Sequence, residues 1–472
     1  MRERKRRMEL FSFYDRSGVE EHLARMAEKG WLLEKIGKFL WTYRRTEPRK
    51  LHFCVYWYSE ATEFDPGPSP EQETLYDFCS HTGWVLAASF GPMQVFCNEA
   101  DDPVPIETDP AVEVDVIHRA MKRGMLPGYA VCLAVSALSG GMFLSRLLDD
   151  PVSVLASPVH LCVGLYIALL LLLAATECGS YFLWHRRAVR AAARGEFWKT
   201  RGHRKFQFCC LAILLLGIFY NFVSILLAGD WERAVTELLI YGVYLPGVVL
   251  LAYGVRAFLK RKQVSAGDNR AATIVTVFLA GLVLNAAVQQ CVLYGSAHGW
   301  FLEKGEPAYT YRGRVYAAPQ DDLPLALEDL MPMEYDGGYV RKRKVEESFL
   351  LARYEMTQQP RLDAEDFREM PWLFYEITVV KVPALYEMCK NAKLSRWERR
   401  GEGPEEEYSR AVPVDPVPWR AREAYRLEDP EYGLQNIFLL CYEKHIAEMN
   451  FPEREVTSEQ IAAAAEKLEA FL

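Results

Sequence analysis

A carboxylate or carboxamide inside apolar sequence is costly to keep there, and at membrane depth it marks an ion path, a proton relay or a contact between helices. Glu177, Asn221, Glu237, Asn285, Gln289 and Gln290 interrupt stretches that are otherwise almost wholly apolar. Asn285 and Gln289 stand at i, i+4, share one helix face and are predicted to turn into a helix bundle. Glu177 and Glu237 fall close to stretch ends, whereas a conducting or ion-coupling site needs several ionisable groups at mid-depth. Glu177, Asn221, Asn285 and Gln289 are the candidate site residues. Two readings stay open for them: interhelical hydrogen bonds, worth about 0.6–2 kcal/mol each, and a transport path.

No other constellation carries chemistry. The eleven cysteines show neither a CxxC nor a Cys/His spacing, so no metal or haem ligand set is assigned. Cys389 and Cys441 are the two cysteines of the C-terminal region, and they are either a disulfide or two buried thiols. No Gly-x-Ser-x-Gly, His-Glu-x-x-His or Ser-x-x-Lys signature occurs, and His298 and His445 are isolated. No catalytic residue and no cofactor is expected.

The elements that must position the polar residues are five apolar stretches, Pro127–Leu148, Pro158–Trp184, Phe206–Ala228, Thr236–Leu259 and Ala272–Gly295. Each is close to the ~20 residues with which an α-helix crosses the hydrocarbon of a bilayer. Between the second and third lie Arg186, Arg187, Arg190, Arg194, Lys199, Arg201, Arg204 and Lys205, and between the fourth and fifth Arg256, Lys260, Arg261, Lys262 and Arg270. The other two connectors are short and carry Arg146, Asp149, Asp150, then Asp230, Glu232 and Arg233. Basic loops stay in the cytoplasm, so five crossings put the N-terminus inside and the C-terminus outside the cell membrane. A re-entrant first stretch, with Ser136, Ser139, Gly140 and Gly141, is the alternative and would return the C-terminus inside. Pro246-Gly247 is expected to kink the fourth helix.

The 472 residues therefore divide into a cytoplasmic α+β domain (1–98), a linker and short helix (99–124), the transmembrane region (125–295) and an extracytoplasmic α+β domain (296–472). The net charge of −8 argues against nucleic-acid binding, and the basic clusters beside the apolar stretches read first as topology signals and second as contacts with the anionic lipid bilayer. Met1–Arg7 is basic with no apolar run behind it, so the first span is expected to direct insertion.

Ser17-Gly-Val-Glu20 fits a capping box ahead of Val19, Leu23 and Met26, and Gly30 ends that helix. Strands follow at Trp31–Lys38, Phe39–Arg45 and Leu51–Tyr58. Ser69-Pro-Glu-Gln72 opens a second helix ending at Gly83, before strands Trp84–Ser89 and Met93–Cys97. One plan is thus used twice, predicting an antiparallel sheet with two helices, an internal duplication, and Trp31 and Trp84 as core anchors. Phe11, Tyr14-Asp15, Glu20, Leu23, Met26-Ala-Glu-Lys-Gly-Trp31, Tyr43, Tyr56, Tyr76, Gly83-Trp84 and Phe90-Gly91 resemble the bacterial domain-of-unknown-function family 2812 over Phe11–Asn98. That resemblance implies a membrane-anchored, Gram-positive-type protein, a kind often discussed beside transcriptional regulators, and brings no catalytic residues.

In the C-terminal region Ser348–Glu355, Leu373–Val382, Leu434–Tyr442 and His445–Phe451 read as strands, Pro383–Ala392 and Arg420–Tyr425 as short helices, and Thr457–Gln460 as the capping box of a last helix. Gly401–Pro418, with its Glu405–Glu407 run, is a charged loop. Arg341–Lys344 is read as a solvated strand end. Folded regions on both sides of a bundle, with no catalytic signature, point to a signalling or regulatory protein with a cytoplasmic regulatory partner. The alternative is a transporter subunit or permease accessory protein, its ligand equally unspecified.

Overall fold

The computed structural model describes residues 3–37, 40–227, 231–302, 305–332, 338–365, 367–398, 409–452 and 455–471. Asp230 and the Glu405–Glu407 run lie outside them.

The N-terminal region folds in the order β1 (Arg4–Met8), α1 (Arg16–Glu28), β2 (Trp31–Lys35), β3 (Leu40–Arg45), β4 (His52–Trp57), α2 (Pro70–His81), β5 (Val85–Phe90), β6 (Met93–Asn98) and α3 (Pro110–Ala120). It holds two three-stranded antiparallel sheets, β1-β3-β2 and β4-β6-β5, where the sequence predicted one. In each sheet a strand, a helix and a hairpin follow one another, and the first strand pairs with the last. Gly30 and Gly83, both at positive φ (75° and 82°), turn the chain out of the helix and into Trp31 and Trp84. Each hairpin then carries a bulge, between Leu33 and Lys35 and between Leu86 and Ala88. Val19, Leu23 and Met26 of α1 pack on Leu33, Trp41, Tyr43 and Val55. Trp84 is buried and donates its Nε1–H to the Val104 carbonyl at 2.8 Å. Trp31 is half-buried instead of core, and cations cover its ring, Arg45 at 5.1 Å and Lys5 at 5.3 Å.

The apolar centre comprises α4 (Leu126–Asp149), α5 (Pro151–Ala156), α6 (Pro158–Ala192), α7 (Arg204–Leu227), α8 (Trp231–Leu238), α9 (Leu245–Arg261) and α10 (Ala266–Ala297). Among the described residues, five continuous helices are long and apolar enough to cross a membrane: Pro110–Asp149, Pro158–Ala192, Arg204–Leu226, Trp231–Arg261 and Ala266–Ala297. At most 17% of the most apolar window of any of them is buried inside the protein, so their Leu, Ile, Val and Phe side chains face outward. That is the surface a lipid environment covers. Leu126-Pro127-Gly128 and Leu245-Pro246-Gly247 are each preceded by a single wide π-type turn, Met121–Met125 and Leu239–Tyr244. A proline displaces the carbonyl four residues back, and the wider turn accommodates it.

The C-terminal region contains β7 (Ala308–Tyr311), β8 (Arg314–Ala317), α11 (Leu327–Leu330), β9 (Tyr339–Glu347), β10 (Leu351–Pro360), β11 (Leu373–Val380), α12 (Tyr386–Glu398), β12 (Arg410–Val414), β13 (Glu423–Asp429), β14 (Gly433–Cys441), β15 (His445–Asn450) and α13 (Ser458–Phe471). Seven strands form one antiparallel sheet in the order β12-β13-β14-β15-β11-β10-β9. Arg420–Tyr425, predicted as a helix, is the entry to β13, with Arg420 at φ 51° after a one-turn 3-10 segment. Arg341–Lys344 sits within edge strand β9, where Arg341 pairs with Glu328 and Lys344 with Glu346.

The chain divides into two compact units. The first is Met1–Ser139 with Tyr166–Ile218 and Leu238–Ala287, and the second is Gly140–Leu165 with Phe219–Glu237 and Val288–Leu472.

Candidate coupling site

In the first unit, the segment between β1 and α1 is gripped by the ends of α6 and α7. Glu177, only 4% exposed, is the residue around which this seam is built. Its Oε1 accepts from the Ser12 hydroxyl at 3.1 Å and from Gln207 Nε2 at 2.8 Å. Gln207 Nε2 also reaches Ser12 Oγ at 3.3 Å, while Gln207 Oε1 is buried without a partner among the described residues. The sequence placed Glu177 two turns from a helix end. The helix continues to Ala192 because Tyr181, Trp184 and Ala188 repeat at i+3, i+4 and pack in the N-terminal core with Tyr14.

Glu9, three residues before Ser12, is the second carboxylate of the seam. Its side chain has no exposed surface, accepts from His22 Nε2 at 3.0 Å and from the Tyr43 hydroxyl at 3.4 Å, and pairs with Arg204 and, at 3.4 Å, with Arg7. Burial raises its pKa, but the His22 hydrogen bond and the charges of His22, Arg204 and Arg7 outweigh that and hold the carboxyl below its ordinary value. Arg204 completes the contact by lying 4.7 Å from the Phe11 ring centre.

The loop after α6 closes the seam from the other side. Ser17 N–H donates to Thr200 Oγ1 at 2.8 Å and Thr200 N–H to Ser17 Oγ at 3.3 Å. Ser17 is therefore not the helix cap: Asp15 caps α1, accepting from Gly18 N–H at 3.1 Å. Glu20, the other half of the predicted capping box, accepts from Arg16 at 2.7 Å and from Val55 N–H at 2.8 Å. Gly202 lies so close that an added Cβ would stand 2.5 Å from Asp15 Oδ2, so the backbone approach requires glycine there. On the α3 side, His118 lies 2.6 Å from the Tyr181 hydroxyl and stacks on His185 at 4.3 Å.

A second attachment ties the β4–α2 loop to α9 and α10. Arg256 pairs with Glu63 at 2.5 Å, and Asn269, fully buried, donates to the Phe64 carbonyl at 3.1 Å. No local pattern in the sequence points to either contact. Residues 15–127 match the family described as Protein of unknown function (DUF2812). The match runs past Asn98 through α3 to Pro127, so the DUF2812 region contributes Asp15, Ser17, His22 and Phe64 to the two attachments. Glu9, Ser12, Glu177 and Arg204 lie outside it. No curated protein and no solved structure matches the chain.

The remaining predicted residues do not join this site. Asn221 is 5% exposed in the second unit, where its Nδ2 donates to both oxygens of Glu237 at 2.9 and 2.8 Å. Asn285 and Gln289 are exposed instead of turned inward. Close packing on α10 falls to its small and short residues, Thr273 and Gly281, with Tyr244 Oη 3.6 Å from the position of a Cβ on Gly281. Cys389 and Cys441 are both free and buried in one apolar cluster, and burial pushes each thiol up to about 11.

That cluster, in the second unit, anchors α5. Val152 and Ala156 pack among Leu351, Val380, Trp397 and Ile446, Ser348 Oγ donates to the Leu155 carbonyl at 2.6 Å, and Arg396 pairs with Asp150 at 2.7 Å. Beside it lies a charge cluster with no forewarning in the sequence. Lys393, 2% exposed, bridges Glu376 at 2.6 Å and Glu448 at 3.1 Å, and Arg353 grips the other oxygen of Glu376 at 2.5 Å. Burial would raise the Glu376 carboxyl, yet Lys393 and Arg353 bring it down to about 2. The cross-strand row Glu355–Glu376–Glu448 places these charges as a stitch across β10, β11 and β15.

Proposed function

We propose that this chain is a membrane signalling or regulatory protein in which an extracytoplasmic C-terminal domain is coupled to a cytoplasmic, partner-binding N-terminal domain. The observation that carries the reading concerns α6. The connector leading into it, α5, is part of the C-terminal core, and the far part of the same helix, Glu177 to Ala188, is part of the N-terminal core. A displacement of α5 would reach α6 through the single extended residue Ser157. The basic loops support a cytoplasmic N-terminus, and five crossings then leave the C-terminal domain outside, at the cell membrane of a bacterium. Among the described residues Asn221 is paired with Glu237 and Asn285 and Gln289 face outward, which favours the regulatory reading over the transporter alternative.

The test has two parts in the full chain. A membrane-impermeant maleimide is expected to label Tyr432→Cys but not Glu47→Cys in intact cells, above the background of the native thiols; labelling of both or neither ends the two-sided reading. Arg396→Gln, which loosens the α5 anchor, is expected to change hydrogen exchange of residues 12–17. Unchanged exchange there would refute coupling through α6.

A further inference from the structure

In the first unit a cleft of about 930 Å³ opens between β1 and β2, the loop after β4 and the last turns of α9. Its size is that of sites that hold small molecules or headgroups. Four cations from three elements line it: Arg6 on β1, Lys35 on β2, and Arg256 and Lys260 on α9. Glu63 and Asp65 also line it, Glu63 paired with Arg256 at 2.5 Å and Asp65 accepting from Thr62 N–H at 2.5 Å, so four cations stand against two carboxylates and the wall keeps a net positive charge. Among the described residues Arg6 and Lys35 have no ion pair or side-chain hydrogen bond, while Lys260 feels the charges of Asp65 and Glu63 without a direct ion pair. A concave wall with surplus positive charge concentrates an anion within it.

The floor of the cleft is built and satisfied. Tyr76 donates to Gln94 Oε1 at 2.7 Å, and Gln94, 1% exposed, donates to the Gly91 carbonyl at 3.0 Å. Arg256 and Lys260 stand at i, i+4 in the last turns of a membrane-capable helix, Trp231–Arg261, where an apolar span meets its basic end. Basic pockets in such a place suit phosphate-bearing headgroups. We propose that this cleft binds a phosphate-bearing anion, held by Arg6, Lys35 and Lys260, with the headgroup of an anionic phospholipid or a soluble phosphorylated molecule as its source.

The test uses the full chain in phosphatidylcholine nanodiscs titrated with inorganic pyrophosphate, and in parallel the detergent-solubilised chain mixed with phosphatidylglycerol, with retained lipid counted by native mass spectrometry. Lys35→Gln and Lys260→Gln are each expected to weaken binding about five-fold and the pair about 25-fold. Lys205→Gln, exposed at the start of α7 and outside the cleft, is expected to leave it within about two-fold. Loss confined to the phosphatidylglycerol arm assigns a lipid source, and loss in the pyrophosphate arm a soluble one; both support the site. Binding of neither probe to the native chain, a double variant that binds like the native chain, or equal loss in Lys205→Gln would overturn it. Arg6→Gln, on a third element, repeats the test should either lysine variant fail to fold.

Discussion

Replacing Glu9 by glutamine separates charge from shape at the seam. The side chain has no exposed surface, and glutamine keeps its volume and one acceptor for His22 while leaving Arg204 and Arg7 without their counter-charge. Removing one member of a buried pair costs about 3–5 kcal/mol. Here the two arginines are 30% and 39% exposed and can be rehydrated, so the loss is set at about 2 kcal/mol. That raises the undocked population of the seam about 30-fold. Hydrogen exchange of residues 14–28 in the full chain reads it directly, with β10 and β11 peptides as the unaffected reference. Arg204→Gln is expected to match it, and the double variant to cost less than the sum, because both singles remove the same contact. The pH dependence has a defined sign. The Glu9 carboxyl is held below its ordinary value in the folded chain, so its contribution is complete above the unfolded carboxylate pKa of about 4.3 and is lost as the pH falls through the lower folded value. The native chain should therefore lose seam protection on acidification and converge on Glu9→Gln. Exchange that is unchanged in Glu9→Gln, or strict additivity with Arg204→Gln, would refute the reasoning.

Three further outcomes follow from the geometry. Asn221→Leu removes both donors to Glu237 and should lower stability in detergent by about 1 kcal/mol; a thermal transition at the native temperature would show that the pair contributes nothing. Glu376→Gln should destabilise the C-terminal sheet by about 3–5 kcal/mol, since Lys393 loses its nearest counter-charge while buried, whereas Glu376→Leu with Lys393→Met should cost less than the two singles together. With Glu376 held down to about 2, its contribution is complete above the unfolded value of about 4.3, declines as the pH falls below that, and is gone once the pH has fallen through about 2. Cys389 and Cys441, buried and pushed up to about 11, should resist alkylation in the native chain and both react after denaturation without reductant; a failure to react then would mean that they are bonded.

Run length made the five apolar helices legible, because no turn chemistry competes with twenty apolar residues. Their ends were less so. Arg186, Arg187 and Arg190 read as a loop signal, yet Tyr181, Trp184 and Ala188 between and before them carry the helix onward as a buried face. Glu177 stood out as a carboxylate in apolar sequence, but its partners are 165 and 30 positions away, and no local pattern links Ser12 or Gln207 to it. Strand β1, Arg-Lys-Arg-Arg-Met, has no alternation to read; it is a strand because β3 offers it an edge. Ser17 has the composition of a cap, but Asp15 takes that role and frees Ser17 for Thr200. The capping boxes at Ser69 and Thr457 formed as read, because nothing distant competes for those hydroxyls.

The contacts that hold α6 differ in kind at its two ends. Around α5 they are mostly apolar: Val152 and Ala156 are 2% and 0% exposed among aliphatic and aromatic side chains. Such an anchor has no second arrangement of similar free energy, because leaving it exposes the same surface to water in every direction. Around Glu177 the contacts are directional, charged and incompletely satisfied, with Gln207 Oε1 buried and unpartnered. Exchanging hydrogen bonds within the protein for hydrogen bonds to water there changes the free energy by only about 0.5–1.5 kcal/mol per bond, so docked and undocked forms can lie close enough for a small input to shift their populations. On the proposed reading, a signal that travels along α6 would be held at the α5 end and decided at the seam. Variants of Ser12, Gln207 or Arg204 should alter the response of the N-terminal region, while apolar substitutions beside α5 should lower the stability of the C-terminal domain first.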